Sequence, residues 1–327
     1  MKKVLFATTA LVMTAGVAAA EVAVSGDGRM GVIYDGNDAQ FSSRARVTFT
    51  LTGESDAGLS FGGSFRTDHE SDYTAGNTGS ERSAARGTAG AVWISGTYGK
   101  LSMGDVVGAA EAAIGDLPEV GYTEGEFGGD VEEISFLVGD GANEDQGPTI
   151  LYEYTVNNIS FYASATDGSN VAGPGVVGRS DVFDLDGDQI DTADTAWSVA
   201  AKYEGSNFWA ALSYSDNGDD SEIGLAAEGK FNNFAIKGVY MDYSIDSIAD
   251  ADAKTYGLGA TYQMDAIAVK GFWRRDEFEV AGVDEEYDSF GIGADYDLGG
   301  GAVLAGGIID TDYLDDTVLD MGVKFSF

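Results

Sequence analysis

Two sets of charged residues stand apart by type and spacing. Arg29, Arg44, Arg46 and Arg66 cluster near the N-terminus of a 327-residue chain that holds only 18 Lys and Arg in all. The segment 106–147 is acidic: Asp105 precedes it, and Glu111, Asp116, Glu119, Glu124 and Glu126 lead on to Asp130, Glu132 and Glu133. Held against each other around water, such groups make a transverse field. It orients polar solutes and hinders apolar ones, as charge arrays do in narrow passages. A third set, Asp184, Asp186, Asp188 and Asp191, puts carboxylates around Gly187 as calcium loops do, but the ligand order and closing Glu of an EF-hand are missing. The expectation is a solvated acidic loop here and no cofactor, with a structural Ca²⁺ at these four residues or among the carboxylates of segment 106–147 as the alternative.

Catalysis finds little support. Lipase or protease chemistry normally needs a histidine base, and the single histidine, His69, lies between Asp68 and Glu70 with no serine in a nucleophile context elsewhere. The formal charge is −37, from 55 acidic and 18 basic residues. Nucleic acid is therefore excluded as a partner, since it requires a basic surface. The chain has no cysteine, so its fold does not rely on disulfides.

The elements that position these charges are strands. Residues 1–20 read as a signal peptide for Sec export: Lys2 and Lys3, an apolar run from Val4 to Val17, then Ala18-Ala19-Ala20. That run is shorter than the roughly 20 residues a membrane-spanning helix needs. From Glu21 to Phe327 the chain repeats segments in which apolar residues alternate with small or polar ones. This is the period of a strand with two unlike faces. Proline occurs only three times, at Pro118, Pro148 and Pro174, in loop-like stretches, as a chain of hydrogen-bonded strands demands.

Connections alternate as well. Seven short turns fall at 53–58, 98–100, 157–158, 205–207, 232–233, 264–265 and 299–301. Eight longer or acidic ones fall at 35–40, 69–87, 106–147, 167–194, 216–220, 244–253, 277–286 and 311–316. Fifteen connections join 16 strands, and an even strand number with short turns at one end is the anatomy of a bacterial outer-membrane barrel. The predicted fold is thus all-β: residues 21–327 form one 16-stranded antiparallel transmembrane β-barrel with both termini at the periplasmic end. Leu319, Met321, Val323, Phe325 and Phe327 alternate to the last residue, like the final strand of outer-membrane proteins. Tyr34, Trp93, Tyr98, Trp209, Tyr243 and Tyr296 suit the aromatic girdles of such barrels.

Parity assigns the faces. Val22, Val24, Met30, Val32 and Tyr34 point outward with Gly26 and Gly28, while Ser25, Asp27 and Arg29 point inward. In the next two strands Val47, Phe49, Leu51, Phe61 and Phe65 face out, and Arg44, Arg46 and Arg66 face in. An arginine facing mid-bilayer lipid costs about 2–4 kcal/mol, so this register is the favourable one. Segment 106–147 also carries Ile114, Leu117, Val120, Ile134, Phe136 and Leu137. A long loop with apolar residues of its own packs rather than waves, so it is expected to line the narrowest part of the pore opposite the arginines.

Several stretches resemble a known family: Glu21-Val22, Gly26 to Val32, Phe41 to Val47, Gly62 to Arg66, Gly99 to Asp105, Glu119 to Thr123 and Tyr296 to Gly301. They are similar to the general porins of alphaproteobacteria, the Rhodobacter-type porins. The resemblance implies a homotrimeric general diffusion porin with its third loop folded into the pore, passing small polar solutes and ions. It implies an outer membrane with lipid and lipopolysaccharide around the barrel. A substrate-specific outer-membrane channel is the alternative. It would need an aromatic track or dedicated site in the lumen, and parity turns most aromatics outward.

Overall fold

The computed structural model describes residues 21–70, 90–138, 149–166, 182–183, 189–190, 195–246 and 251–327. Sixteen strands form the barrel: β1 Glu21–Tyr34, β2 Ala39–Glu54, β3 Ser60–Glu70, β4 Gly90–Gly96, β5 Gly99–Gly104, β6 Thr149–Val156, β7 Ile159–Thr166 and β8 Trp197–Glu204. The second half comprises β9 Phe208–Asp216, β10 Asp220–Phe231, β11 Phe234–Ile245, β12 Ala251–Met264, β13 Ile267–Val280, β14 Val283–Gly299, β15 Ala302–Thr311 and β16 Val318–Ser326. Each pairs antiparallel with its neighbours, and β1 closes on β16 with Gly28 opposite Phe325 and Tyr34 opposite Leu319. Closure matters because an unpaired edge in lipid would strand backbone N–H and C=O groups without water.

Alternation sets the faces as expected. Val24, Met30, Phe65, Leu212, Ile292 and Met321 are exposed on the outer wall, while Arg29, Arg44, Ser213 and Asp320 between them are buried. Among the described residues β4 to β8 run six to eight residues and β12 to β14 run 14 to 17.

Several of the expected connections are shorter than their composition suggests. The acidic segment 277–286 is not a loop. β13 and β14 stay paired through Val280 and Val283, and only Ala281 and Gly282, both at positive φ, turn the chain. Likewise 216–220 shrinks to three residues, because Asp216 and Asp220 belong to strands. The alternation that gave 16 strands holds in position and acidity, not in length. The leader 1–20, most of segment 69–87 and the candidate calcium residues Asp184, Asp186, Asp188 and Asp191 lie outside the described residues.

The principal apolar core lies inside the barrel. Ala109, Ala113, Ile114, Leu117, Val120, Tyr122, Phe127 and Ile134 come from the 105–148 connection, and they pack on the inward wall residues Ile33, Met241, Phe272, Ala305, Ile309 and Val318. The third long connection therefore folds into the lumen.

Candidate functional site: a charged passage beneath the inward loop

The inward loop begins with a short helix, α1 (Ala109–Ile114). At its start the amides of Ala109 and Ala110 donate to Ser164 Oγ (2.8 Å) and Ser198 Oγ (3.1 Å). At its end Lys237 Nζ donates to the carbonyls of Ile114 (2.7 Å) and Asp116 (2.6 Å), a cation where the helix dipole is negative. Further on, the Asp320 carboxylate accepts from the Tyr122 amide (3.2 Å), the Thr123 amide (2.8 Å) and Thr123 Oγ1 (2.7 Å). Arg274 Nη1 donates to the carbonyls of Val131 (3.3 Å) and Glu133. Glu222 accepts from the Leu137 amide at 2.7 Å, and Tyr243 donates to the Ser135 carbonyl at 2.6 Å.

Inward glycines let the loop approach the wall closely. A Cβ at Gly224 would meet Ile114, at Gly257 Leu117, at Gly259 Pro118, at Gly307 Gly121, and at Gly31 or Gly322 the Tyr122 ring. Part of the chain's 47 glycines is thereby explained as a seat for the loop. The loop's own Gly125 has φ +100° and the Glu132 carboxyl lies directly over its Cα. Both features bar a side chain there.

Two of the four arginines touch the acidic loop directly. Arg29 pairs with Glu126 Oε2 and Arg44 with Glu126 Oε1 (2.6 Å); Arg44 also reaches Glu124 at 3.5 Å. Arg29 and Arg44 are cross-strand partners, and like charges so placed repel. Glu126 sits between them and relieves this. Lys324, inward on β16, adds a third cation at 3.3 Å from Glu124. Arg46 stands in register with Asp27 and Asp68. Arg66, opposite Thr48, is half-buried on β3 and outside the lining of the passage described next.

That passage has a volume of about 880 Å³ and is lined by Arg44, Arg46 and Arg274 against seven carboxylates: Glu111, Asp116, Glu119, Glu124, Glu126, Asp130 and Glu133. Asp116 also braces the loop, accepting from the Ile134 amide at 2.8 Å. Asp105 is exposed at the end of β5, outside this lining. Burial pushes the Asp130 carboxyl up to about 6, with the Glu126 charge adding to it. Burial and then Glu124 raise Glu119. At Glu124 burial also acts upward, but Lys324, Arg44 and Arg29 outweigh it and hold the group below its ordinary value. Glu132 is fully buried without a hydrogen-bond partner for either oxygen among the described residues, and burial pushes it up to about 9. It is therefore protonated at neutral pH and adds no charge to the passage.

Sequence reasoning missed Lys237, Arg274, Asp320 and Lys324. Asp320 and Lys324 were open to it, since they alternate with Leu319, Met321, Val323 and Phe325. Two other readings change. The space over Gly26 and Gly28 is filled by the rings of Phe327 and Phe325, so these glycines do not offer a neighbour a close approach. Trp93, Trp209 and Tyr243 point into the lumen rather than into a girdle: Trp93 lies over inward Gly62, Lys202 Nζ lies 4.1 Å from the Trp209 ring, and Tyr243 reaches the loop. Among the described residues no group of three or more acidic or histidine side chains could enclose a metal ion.

A family model described as Gram-negative porin matches residues 7–316. A porin of Rhodobacter capsulatus is 37% identical, over 94% of this chain and all of that one. A porin of Fuscovulum blasticum is 27% identical over the same share of both chains. A solved porin structure superposes with a TM-score of 0.74 at 36% identity, again over 94% of this chain and 100% of that one. With its closed 16-stranded barrel and the charged loop inside it, the chain belongs to the Gram-negative porin family and is a general porin of the outer membrane.

Proposed function

We propose that the passage beneath the inward loop carries small hydrophilic solutes and ions by passive diffusion, with modest selectivity for cations. The observation that carries this reading is the lining: seven carboxylates against three guanidinium groups, with Arg44 spending its charge on Glu124 and Glu126. Arg44, Arg46 and Arg274 form the basic side of the passage and Glu111, Asp116, Glu119, Glu124 and Glu126 the acidic one, with Arg29 and Lys324 held on Glu126 and Glu124 and Arg66 inward on β3 outside this lining. Asp105 stands at the loop's root. The formal charge of −37 adds a negative potential at the mouths that concentrates cations. The test is the reversal potential across a KCl gradient in planar membranes. A potential of the sign for K⁺ preference is expected, and preference for chloride would overturn the reading.

The proposal extends to assembly. The chain works as a homotrimer embedded in outer-membrane lipid and lipopolysaccharide, after Sec export and cleavage following Ala20. Membership of the Gram-negative porin family supports these readings. Native mass measurement in mild detergent and N-terminal sequencing test them. A structural Ca²⁺ at Asp184, Asp186, Asp188 and Asp191 belongs to the same proposal. Calorimetric titration of the metal-free porin with Ca²⁺, before and after alanine replacement of the four, decides it.

A further inference from the structure

The lumen above the passage is aromatic on one side. Phe278 and Tyr287 are inward on β13 and β14 beside the buried Arg274 and Asp276, and their rings meet edge to face at 5.9 Å. Tyr287 stacks on Tyr313 at 4.7 Å with planes 4° apart. Tyr313 and Leu314 line the charged passage together with Phe136 and Phe278. Behind them lies a side cavity of about 280 Å³ between the loop and the wall, walled by Phe136, Tyr243, Ile245 and Phe278 and floored by Arg274 and Asp276. Ser135, Phe136, Phe278 and Arg274 border both spaces, so the cavity opens sideways onto the route of a permeating solute.

The floor is electrically matched. Arg274 Nε donates to Asp276 at 2.9 Å, and Asp276 also accepts from Thr255 Oγ1 (2.6 Å) and the Tyr313 hydroxyl (2.9 Å). The surroundings are not matched. The passage that shares Ser135, Phe136, Phe278 and Arg274 with the cavity carries seven carboxylates against three guanidinium groups, and Asp220 adds a carboxylate to the cavity's own lining. An apolar, ring-lined cavity with a few fixed polar groups is the form of a small-molecule site, and the negative surroundings favour a cationic tail.

We propose that this cavity is a binding site for small solutes that join a planar aromatic ring to a positively charged amine, with the ring between Phe136, Tyr243 and Phe278. The proposal rests on the porin reading and deepens it: such solutes are retained beside the passage and then released into it.

The experiment measures KCl current through the purified porin in planar membranes while phenethylamine is added on the side of the long loops. Its ring-saturated analogue 2-cyclohexylethylamine, of the same charge and nearly the same size, is the control. Phenethylamine is expected to reduce the current saturably, at a half-effect concentration roughly threefold to tenfold lower than the control. Phe278→Leu should abolish that difference, and Ala253→Leu, which fills the cavity, should weaken the block by phenethylamine. Equal block by the two amines in the wild type, or an unchanged difference in Phe278→Leu, overturns the site. Absence of KCl current altogether would instead sink the porin reading, so the two failures are distinguishable.

Discussion

Glu126 holds together two arginines that would otherwise repel. It is about one-third exposed and meets both Arg29 and Arg44, so Glu126→Gln is expected to destabilise the loop by about 1–3 kcal/mol. The same substitution should move the reversal potential toward anions, because one negative charge facing two guanidinium groups is removed. Thermal unfolding in detergent and the KCl reversal potential check the two effects. Titration acts in the same place. Asp130, with its carboxyl at about 6, takes up a proton as the pH falls from 8 to 5, and burial and Glu124 raise Glu119 beside it in the same direction. Cation selectivity should drop over that window with a midpoint near 6, read as reversal potential against pH. Glu132 behaves differently. Its folded-state value is raised from 4.5 to about 9, so its contribution to stability is complete below about pH 4.5. That contribution is lost as the pH rises through about 9. Glu132→Gln should flatten the melting temperature across this range and leave selectivity at pH 7 unchanged. A variant as pH-dependent as the wild type would refute the assignment.

The inward loop is an element held from several sides rather than by its own regular structure. α1 is only six residues long, too short to persist alone, and it depends on Ser164, Ser198 and Lys237 from the wall. Asp320 is the strongest single anchor, accepting from two loop amides, a loop hydroxyl and the Gly307 amide. Asp320→Ala leaves those buried donors unsatisfied, at about 1–3 kcal/mol each. It should raise single-channel conductance and its noise as residues 120–123 leave the wall. Deleting the acidic stretch 124–133 should raise conductance further. Unchanged conductance in the deletion would mean that this segment does not narrow the passage. The element also explains where sequence reading stopped. Ile114, Leu117, Val120, Ile134 and Phe136 marked the loop as packed. Yet its contact with the arginines depended on Lys324 and Asp320, some 200 residues away in the chain.

For the whole molecule, charge acts at long range and so responds to salt. The Debye length falls from about 10 Å at 0.1 M to about 3 Å at 1 M. Selectivity measured at rising KCl with a fixed concentration ratio should therefore weaken, and a constant value would show that the mouth potential does not contribute. The sequence by itself determined the barrel, because strand alternation, scarce proline and turn positions are local properties that follow from the requirement to pair every backbone group in lipid. It also determined that Arg29, Arg44, Arg46 and Arg66 face inward, since one step of register would put them in lipid. Only the tertiary structure decided which charges meet. Arg29 and Arg44 touch Glu126, Lys324 touches Glu124, and Tyr243 touches Ser135, through contacts between segments far apart in the chain. The acidic run 277–286 shows the converse: its composition suggested a loop, but cross-strand pairing with a two-residue turn kept it in the sheet. Local pattern reports which face a residue takes, and closure of the barrel around the loop sets what stands opposite it.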